Sequence, residues 1–178
     1  MSEIDLNEER AIASACSSVA TVIALNKPIY PLYVWWLAPD ALKASFFTAI
    51  SLPLYIGLIY LARVNSKAAR VALVVIGTLD TLAINIILGD RSGSWLFLGA
   101  CIILAAVSFR SDEVWERRIA VSAAYVLFAA SFGRFPDPLF AYSSASAATL
   151  FKLNAFGAFA LVAFLGLRFP FGRYTPSH

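Results

Sequence analysis

Long apolar segments recur six times along the chain, and short polar or charged segments separate them. A helix rises 1.5 Å per residue, so about 20 mostly apolar residues are needed to cross the hydrocarbon core of a bilayer. The six segments are close to that length. We therefore predict an all-α polytopic membrane protein, one membrane domain over residues 1–178, with six transmembrane helices at about 11–37, 42–62, 70–89, 93–109, 115–133 and 147–167.

The overall composition supports this prediction. Hydrophobic residues make up 60% of the 178 residues and charged residues only 14%, and the mean hydropathy is +0.75. Soluble domains have about 45–50% apolar and about 25% charged residues. A small chain this apolar cannot hide its apolar surface in its own core, so most of that surface faces lipid. This excludes a cytosolic enzyme, a nucleic-acid-binding protein and a secreted disulfide scaffold.

The distribution of basic residues predicts the orientation. The first ten residues carry four acids and one arginine, unlike the cationic start of a secretory signal, so we expect the first apolar segment to remain as a span. Basic residues concentrate on cytoplasmic sides. If the N-terminus lies inside, that side holds Arg10, Arg63, Lys67, Arg70, Arg110, Arg117, Arg118, Arg168 and Arg173, against Lys43, Arg91, Arg134 and Lys152 outside. Both termini are therefore predicted to be cytoplasmic, in a multi-pass protein of the cell inner membrane.

Small residues are spaced four apart in the first half of the first segment. They form two rows, one with Ala13 and Ser17 and the other with Cys16, Ala20 and Ala24. Such spacing lets helix backbones approach closely, so we expect this half to pack against other helices. The alternative is an ordinary alanine-rich helix without that role.

Prolines follow in the same segment and in the next one. Pro28 and Pro31 each remove a backbone donor, so we predict a kink or a break of the first helix at this point. By the same reasoning, Pro53 should kink the second helix.

Ionisable residues inside predicted spans are the candidates for function, because placing them in lipid is costly. Lys27 lies about 24 Å along the first helix, Asp80 about 15 Å along the third and Asn85 about 22 Å along the same helix. Lys27 could therefore pair with Asp80 and hydrogen-bond Asn85. We predict a ligand pocket in the outer half of the bundle, lined by these three residues with Asn26 and Thr81. The alternatives are a purely structural ion pair, or a Lys27 that extends to the interface beside a protonated Asp80.

The sequence offers no catalytic constellation. The one histidine is His178, and Cys16 and Cys101 stand far apart within apolar segments. We therefore expect no metal site, no cofactor beyond a lipid or another lipophilic ligand, and no enzymatic activity. The segment 110–118 is rich in both charges and is interpreted as a solvated cytoplasmic loop or a docking surface.

One stretch resembles a known family. A basic turn with Ala69-Arg70 leads through an apolar helix to the segment LGDRSGSWLFL at 88–98, and the next helix ends in Phe109-Arg110 with acids just beyond. This resembles the six-helix membrane region that precedes the catalytic domain in many bacterial class III adenylate cyclases and in some related sensor kinases and diguanylate cyclases. That family often carries histidine where this chain has Trp95. Since only residues 168–178 follow the last predicted span, we do not expect a cyclase activity in this chain.

What the resemblance implies is a non-enzymatic membrane sensor or anchor module whose output needs another chain. Two alternatives stay open. The first is an accessory subunit of a larger membrane complex that contacts lipid, quinone or carotenoid. The second is a small-solute transporter or substrate-capture subunit, with the polar residues around Asp80 lining its site. The expected partners are membrane lipid and another membrane protein chain or a second copy of this one, and no nucleic acid.

Overall fold

The computed structural model describes residues 3–169, with side chains described from Leu6 onward. Within these residues the protein is helical and contains no strand, so the predicted all-α class is confirmed. The helices are α1 (Glu3–Leu37), the short α2 (Leu42–Phe46), α3 (Leu52–Val64), α4 (Ser66–Leu88), α5 (Leu96–Val107), α6 (Val114–Ser131) and α7 (Ser144–Arg168).

Four helical segments are long and apolar enough to cross a membrane: Leu6–Leu37, Pro39–Val64, Ser66–Leu88 and Ser144–Arg168. The other two predicted spans also form helices but fit a bilayer less well. At 12 residues α5 is about 18 Å long, against a hydrocarbon core of about 30 Å. The 18-residue α6 carries three charged residues, Glu116, Arg117 and Arg118, in its first two turns. Membrane insertion of all six predicted spans, and the orientation of the bundle, remain predictions.

The prolines of the first two predicted spans lie in different settings. Helix α1 runs without a break from Glu3 to Leu37, with Pro28 and Pro31 inside it, so of the two predicted outcomes the break is wrong and the kink stays a prediction. Each proline removes only one donor, and neighbouring helices can support a proline-containing membrane helix. The second span is instead divided. Short 3-10 segments, Pro39–Ala41 and Phe47–Ser51, flank α2, and Pro53 lies in the first turn of α3.

Packing is uneven around the bundle. Helix α1 packs against α3, α4 and α7, while α5 packs against α4, α6 and α7. Among the described elements, α6 packs substantially only against α5. The two rows of small residues on α1 differ in burial. Cys16, Ala20 and Ala24 are buried in the main core, whereas Ala13 and Ser17 are only half-buried. The first row therefore forms the close contact of α1 with the other helices, and the second lies at the edge of that contact.

Hydrogen bonds at the two ends of the bundle hold α7 antiparallel to α1. At one end, here called the proximal end, Arg168 of α7 donates to the hydroxyls of Ser14 and Ser18 of α1. At the other, the distal end, Asp40 accepts hydrogen bonds from the backbone N–H of Ser143 and the hydroxyl of Ser146 at the start of α7. The proximal end is the one that the basic residues predict to be cytoplasmic.

The segment between α6 and α7 folds back onto the distal end. The Leu139 N–H donates to the Ile87 carbonyl at 3.0 Å, and the Tyr142 hydroxyl donates to the Leu88 carbonyl. Burial raises the pKa of this tyrosine. Gly89, with φ of +73°, lies so close to the backbone around Pro138 that an added Cβ would be 2.8 Å from the proline nitrogen. A glycine is therefore required where this segment crosses the end of α4.

Candidate functional site

The predicted ion pair between Lys27 and Asp80 is present and joins three helices. Lys27 Nζ of α1 lies 2.5 Å from Asp80 Oδ2 of α4, and the side chains are 7% and 12% exposed. The hydroxyl of Tyr55 on α3 donates to the same carboxylate oxygen at 3.0 Å. The lysine ammonium also lies 5.5 Å from the centre of the Tyr55 ring, within cation–π range. We call these three residues the Lys27–Asp80–Tyr55 cluster.

Local geometry explains why the carboxylate reaches across to the other helices. The neighbouring hydroxyls of Thr78 and Thr81 each donate to a backbone carbonyl four residues earlier in α4, at 2.8 Å. They therefore leave Asp80 to find its partners on α1 and α3. Tyr55 was missed by the sequence analysis. A tyrosine inside an apolar span is a common core residue, and no spacing rule connects α3 with the middle of α4.

The other predicted members of the pocket lie elsewhere. Asn26 is exposed, and Thr81 is turned toward its own helix backbone. Asn85 does not bond to Lys27. It donates from Nδ2 to the Thr81 carbonyl at 2.7 Å and accepts at Oδ1 from the Ser94 hydroxyl at 2.8 Å. The single pocket predicted around these residues is thus replaced by two separate polar groupings.

The second grouping is a buried chain of hydrogen bonds at the distal end. The Ser94 hydroxyl lies 2.8 Å from that of Ser92, and Asn154 Nδ2 of α7 donates to the Ser92 carbonyl at 2.9 Å. Tyr30 of α1 donates to Asn154 Oδ1 at 3.1 Å. With Asn85, these residues tie α1, α4, α7 and the turn after α4 together. No spacing rule in the sequence connects these five residues, although Asn85, Ser92 and Ser94 are short polar residues grouped around the end of α4.

The turn that carries the two serines also requires a glycine. Gly93 has a φ of +72°, and a Cβ added to it would lie 2.6 Å from a ring carbon of Phe151 on α7. The segment SGSW at 92–95 contributed to the family resemblance. In this protein it forms the turn between α4 and α5 and packs closely against α7.

A third polar grouping lies at the proximal end, and it corrects the interpretation of residues 110–118 as a solvated loop. Arg70 and Glu113 form a two-pronged ion pair with N–O distances of 2.6 and 3.1 Å. Their side chains are only 1% and 9% exposed. Arg70 also donates to the Ser108 carbonyl, and Glu113 accepts from the Arg110 N–H. Only the outer part of this segment is solvated.

The start of α1 joins this proximal network. Glu8 accepts hydrogen bonds from both the backbone N–H and the hydroxyl of Ser111, at 2.9 and 3.1 Å. Glu9 lies 3.4 Å from the guanidinium of Arg110. The four acids that the sequence placed before the first span therefore include two that hold the α5–α6 connection against α1.

Unlike the polar groups of an open binding site, those of the three groupings are paired with other groups of the protein. Of the buried side-chain nitrogen and oxygen atoms in the described part of the chain, the Ser66 hydroxyl alone lacks a hydrogen-bond partner. Buried polar groups that are fully paired hold helices together and fix their register. The described residues also contain no group of histidine, cysteine and acidic side chains arranged to hold a metal ion.

No family model matches the chain, and neither a curated protein nor a solved structure matches it. The class that the fold itself defines is an all-helical protein with four helices long and apolar enough to cross a membrane. The resemblance to the membrane region of adenylate cyclases stays a prediction.

Proposed function

We propose that this chain is a non-enzymatic sensor or anchor module of the bacterial inner membrane, and that its output passes to another chain at the proximal end. The observation that carries the proposal is the Lys27–Asp80–Tyr55 cluster, which holds α1, α3 and α4 together by two charges buried in an apolar bundle. Charged groups at such depth are costly and are functional candidates by default.

Helix α1 connects this cluster with the proximal network. It is continuous, and from Lys27 to Glu8 it spans about 28 Å at 1.5 Å per residue. A change in the pairing of Asp80 would shift α1 relative to α3 and α4. Since Glu8 and Glu9 hold Ser111 and Arg110, the same shift would alter the α5–α6 connection. This gives a route by which an event in the predicted outer half is read on the predicted cytoplasmic side.

The experiment measures that route directly. A spin label on Asp112→Cys, whose native side chain is 67% exposed, reports the mobility of the α5–α6 connection by electron paramagnetic resonance. Both native cysteines are buried, and wild-type protein treated with the same spin-label reagent sets the background. We expect Asp80→Asn to change the label's spectrum, because it leaves the buried ammonium of Lys27 without a carboxylate. The double variant Lys27→Met/Asp80→Asn should restore it.

A matched control separates coupling from general destabilisation. Leu150→Ala on α7 removes a fully buried side chain without changing a charge, at a cost of about 2–5 kcal/mol. The proposal is wrong if Asp80→Asn leaves the spectrum unchanged, or if Leu150→Ala changes it to the same extent.

A second candidate function, an accessory subunit of a larger membrane complex, is favoured by the exposure of α6. This helix has one substantial neighbour, and Trp115, Ile119 and Val126 on it are 70%, 67% and 60% exposed. Mild-detergent extraction followed by native gel and mass spectrometry tests it. A partner retained at fixed stoichiometry supports this function, and migration of the chain alone or as a homodimer rules it out.

A further inference from the structure

An apolar cleft of about 150 Å³ separates α4 from α6 in the proximal half of the bundle. Its walls are formed by Val71, Val75 and Thr78 of α4 and by Ala120, Ala123 and Leu127 of α6, with Phe109 at the end of α5. The cleft exists because α6 is held by α5 and does not pack closely against α4. It plays no part in the Lys27–Asp80–Tyr55 cluster.

The cleft is small enough that only a thin molecule fits into it. A transmembrane helix with its side chains is about 10–12 Å across, far too wide for a space of this volume. An apolar cavity of about 150 Å³ accepts a molecule the size of benzene. Along α4 the lining runs from Val71 to Leu79, about 12 Å at 1.5 Å per residue. A slender hydrocarbon segment fits both the volume and the length.

Two basic residues near the proximal opening of the cleft indicate that the ligand carries an anionic headgroup. Lys67 lies one turn before Val71 on α4, and Arg117 lies one turn before Ala120 on α6, so both share the face that lines the cleft. Helical side chains tilt toward the N-terminus of their helix, which here is the proximal end for both. The two basic groups therefore extend from the cleft toward headgroup depth.

Nearby acids neutralise the two basic groups only in part. Lys67 lies 2.8 Å from Glu116 and 3.6 Å from Glu113, and its side chain is 53% exposed. Because Glu113 is already paired with Arg70, Glu116 is the carboxylate that remains to pair with Lys67. The ammonium of a lysine has three donors, so it can bind a phosphate while it contacts Glu116.

We propose that the α4–α6 cleft binds one acyl chain of an anionic phospholipid, with the phosphate held by Lys67 and Arg117. The proposal is independent of the sensor function. Lipids with this charge enrich the cytoplasmic leaflet and are drawn to basic groups between membrane helices. The predicted orientation places the mouth of the cleft in that leaflet.

The test is native mass spectrometry of the purified full chain in detergent, titrated with phosphatidylglycerol or phosphatidylcholine of the same acyl chains. We expect selective retention of phosphatidylglycerol. Arg117→Gln should weaken its binding about fivefold, the effect of one basic group near an anionic lipid. Lys43→Gln, which removes an exposed basic group at the distal end, should leave it unchanged.

A second pair of variants tests the cleft itself. Ala123→Phe fills the cleft from an exposed position, whereas Ala129→Phe adds the same ring to α6 away from it. We expect only the first to abolish lipid retention. Equal retention by wild type and Ala123→Phe would overturn the proposal, as would equal binding of the two lipids. A changed oligomeric state in Ala123→Phe with lipid retention intact would instead make the cleft a protein contact.

Discussion

The buried ion pair between Arg70 and Glu113 allows a sharp prediction about stability. Replacing Arg70 by methionine keeps an unbranched apolar stem but removes both prongs of the pair and the hydrogen bond to the Ser108 carbonyl. The carboxylate of Glu113, 9% exposed, then keeps only the Arg110 N–H at 3.0 Å and the more distant Lys67 ammonium at 3.6 Å. A charge that stays buried without its partner is the main source of the expected loss.

The size of the effect follows from burial. Removing one partner of a buried ion pair costs about 3–5 kcal/mol, because the other charge loses its compensation. An exposed pair contributes only about 0.2–1 kcal/mol. Lys67→Met breaks the exposed contact to Glu116 and the longer contact to Glu113 but leaves the Arg70–Glu113 pair intact, and it is therefore the matched control. We expect Arg70→Met to lower the free energy of unfolding by at least 2 kcal/mol more than Lys67→Met does.

Unfolding in mixed micelles, followed by circular dichroism as the denaturing detergent is raised, measures both variants. The double variant Arg70→Met/Glu113→Gln should recover part of the loss, since the glutamine still accepts the Arg110 N–H and carries no charge. If Arg70→Met is no more destabilising than Lys67→Met, the pair is solvated in the detergent-solubilised protein and the reasoning fails.

Three further predictions concern the distal end, and thermal unfolding in detergent checks the first two. Gly93→Ala should destabilise by about 2 kcal/mol or more through its positive φ and the 2.6 Å approach to α7, whereas Gly99→Ala, with open space around it, should be neutral or stabilising. Asn154→Leu should cost about 2–4 kcal/mol by breaking two buried hydrogen bonds, and Lys152→Leu at an exposed position should not. Asp40→Ala should cost about 1 kcal/mol and speed exchange of the Ser143 amide, whose hydrogen bond to the Asp40 carboxylate is lost, and unchanged exchange of that amide would contradict this role.

Hydrophobic length and helical rise account for the part of the site that the sequence predicted correctly. Lys27 and Asp80 meet because both the segment boundaries and the 1.5 Å rise fix how deep a residue lies along its helix. Asn85 lies at a similar predicted depth, yet it faces Ser94 instead of Lys27. The depth of a residue along its helix was therefore predictable, but the direction in which its side chain points around the helix axis was not.

The order and approximate bounds of the helical segments could be read from the sequence, except for the division of the second one into α2 and α3, because they depend on local apolar length and on the polar residues between the segments. Only the tertiary structure showed that Tyr55 completes the ion pair, that Arg70 and Glu113 are buried together, and that α6 has one close neighbour. The physical reason is that lipid is as apolar as a helix interface. A helix surrounded by lipid and by other helices is apolar on every side, so its sequence does not mark the face that packs.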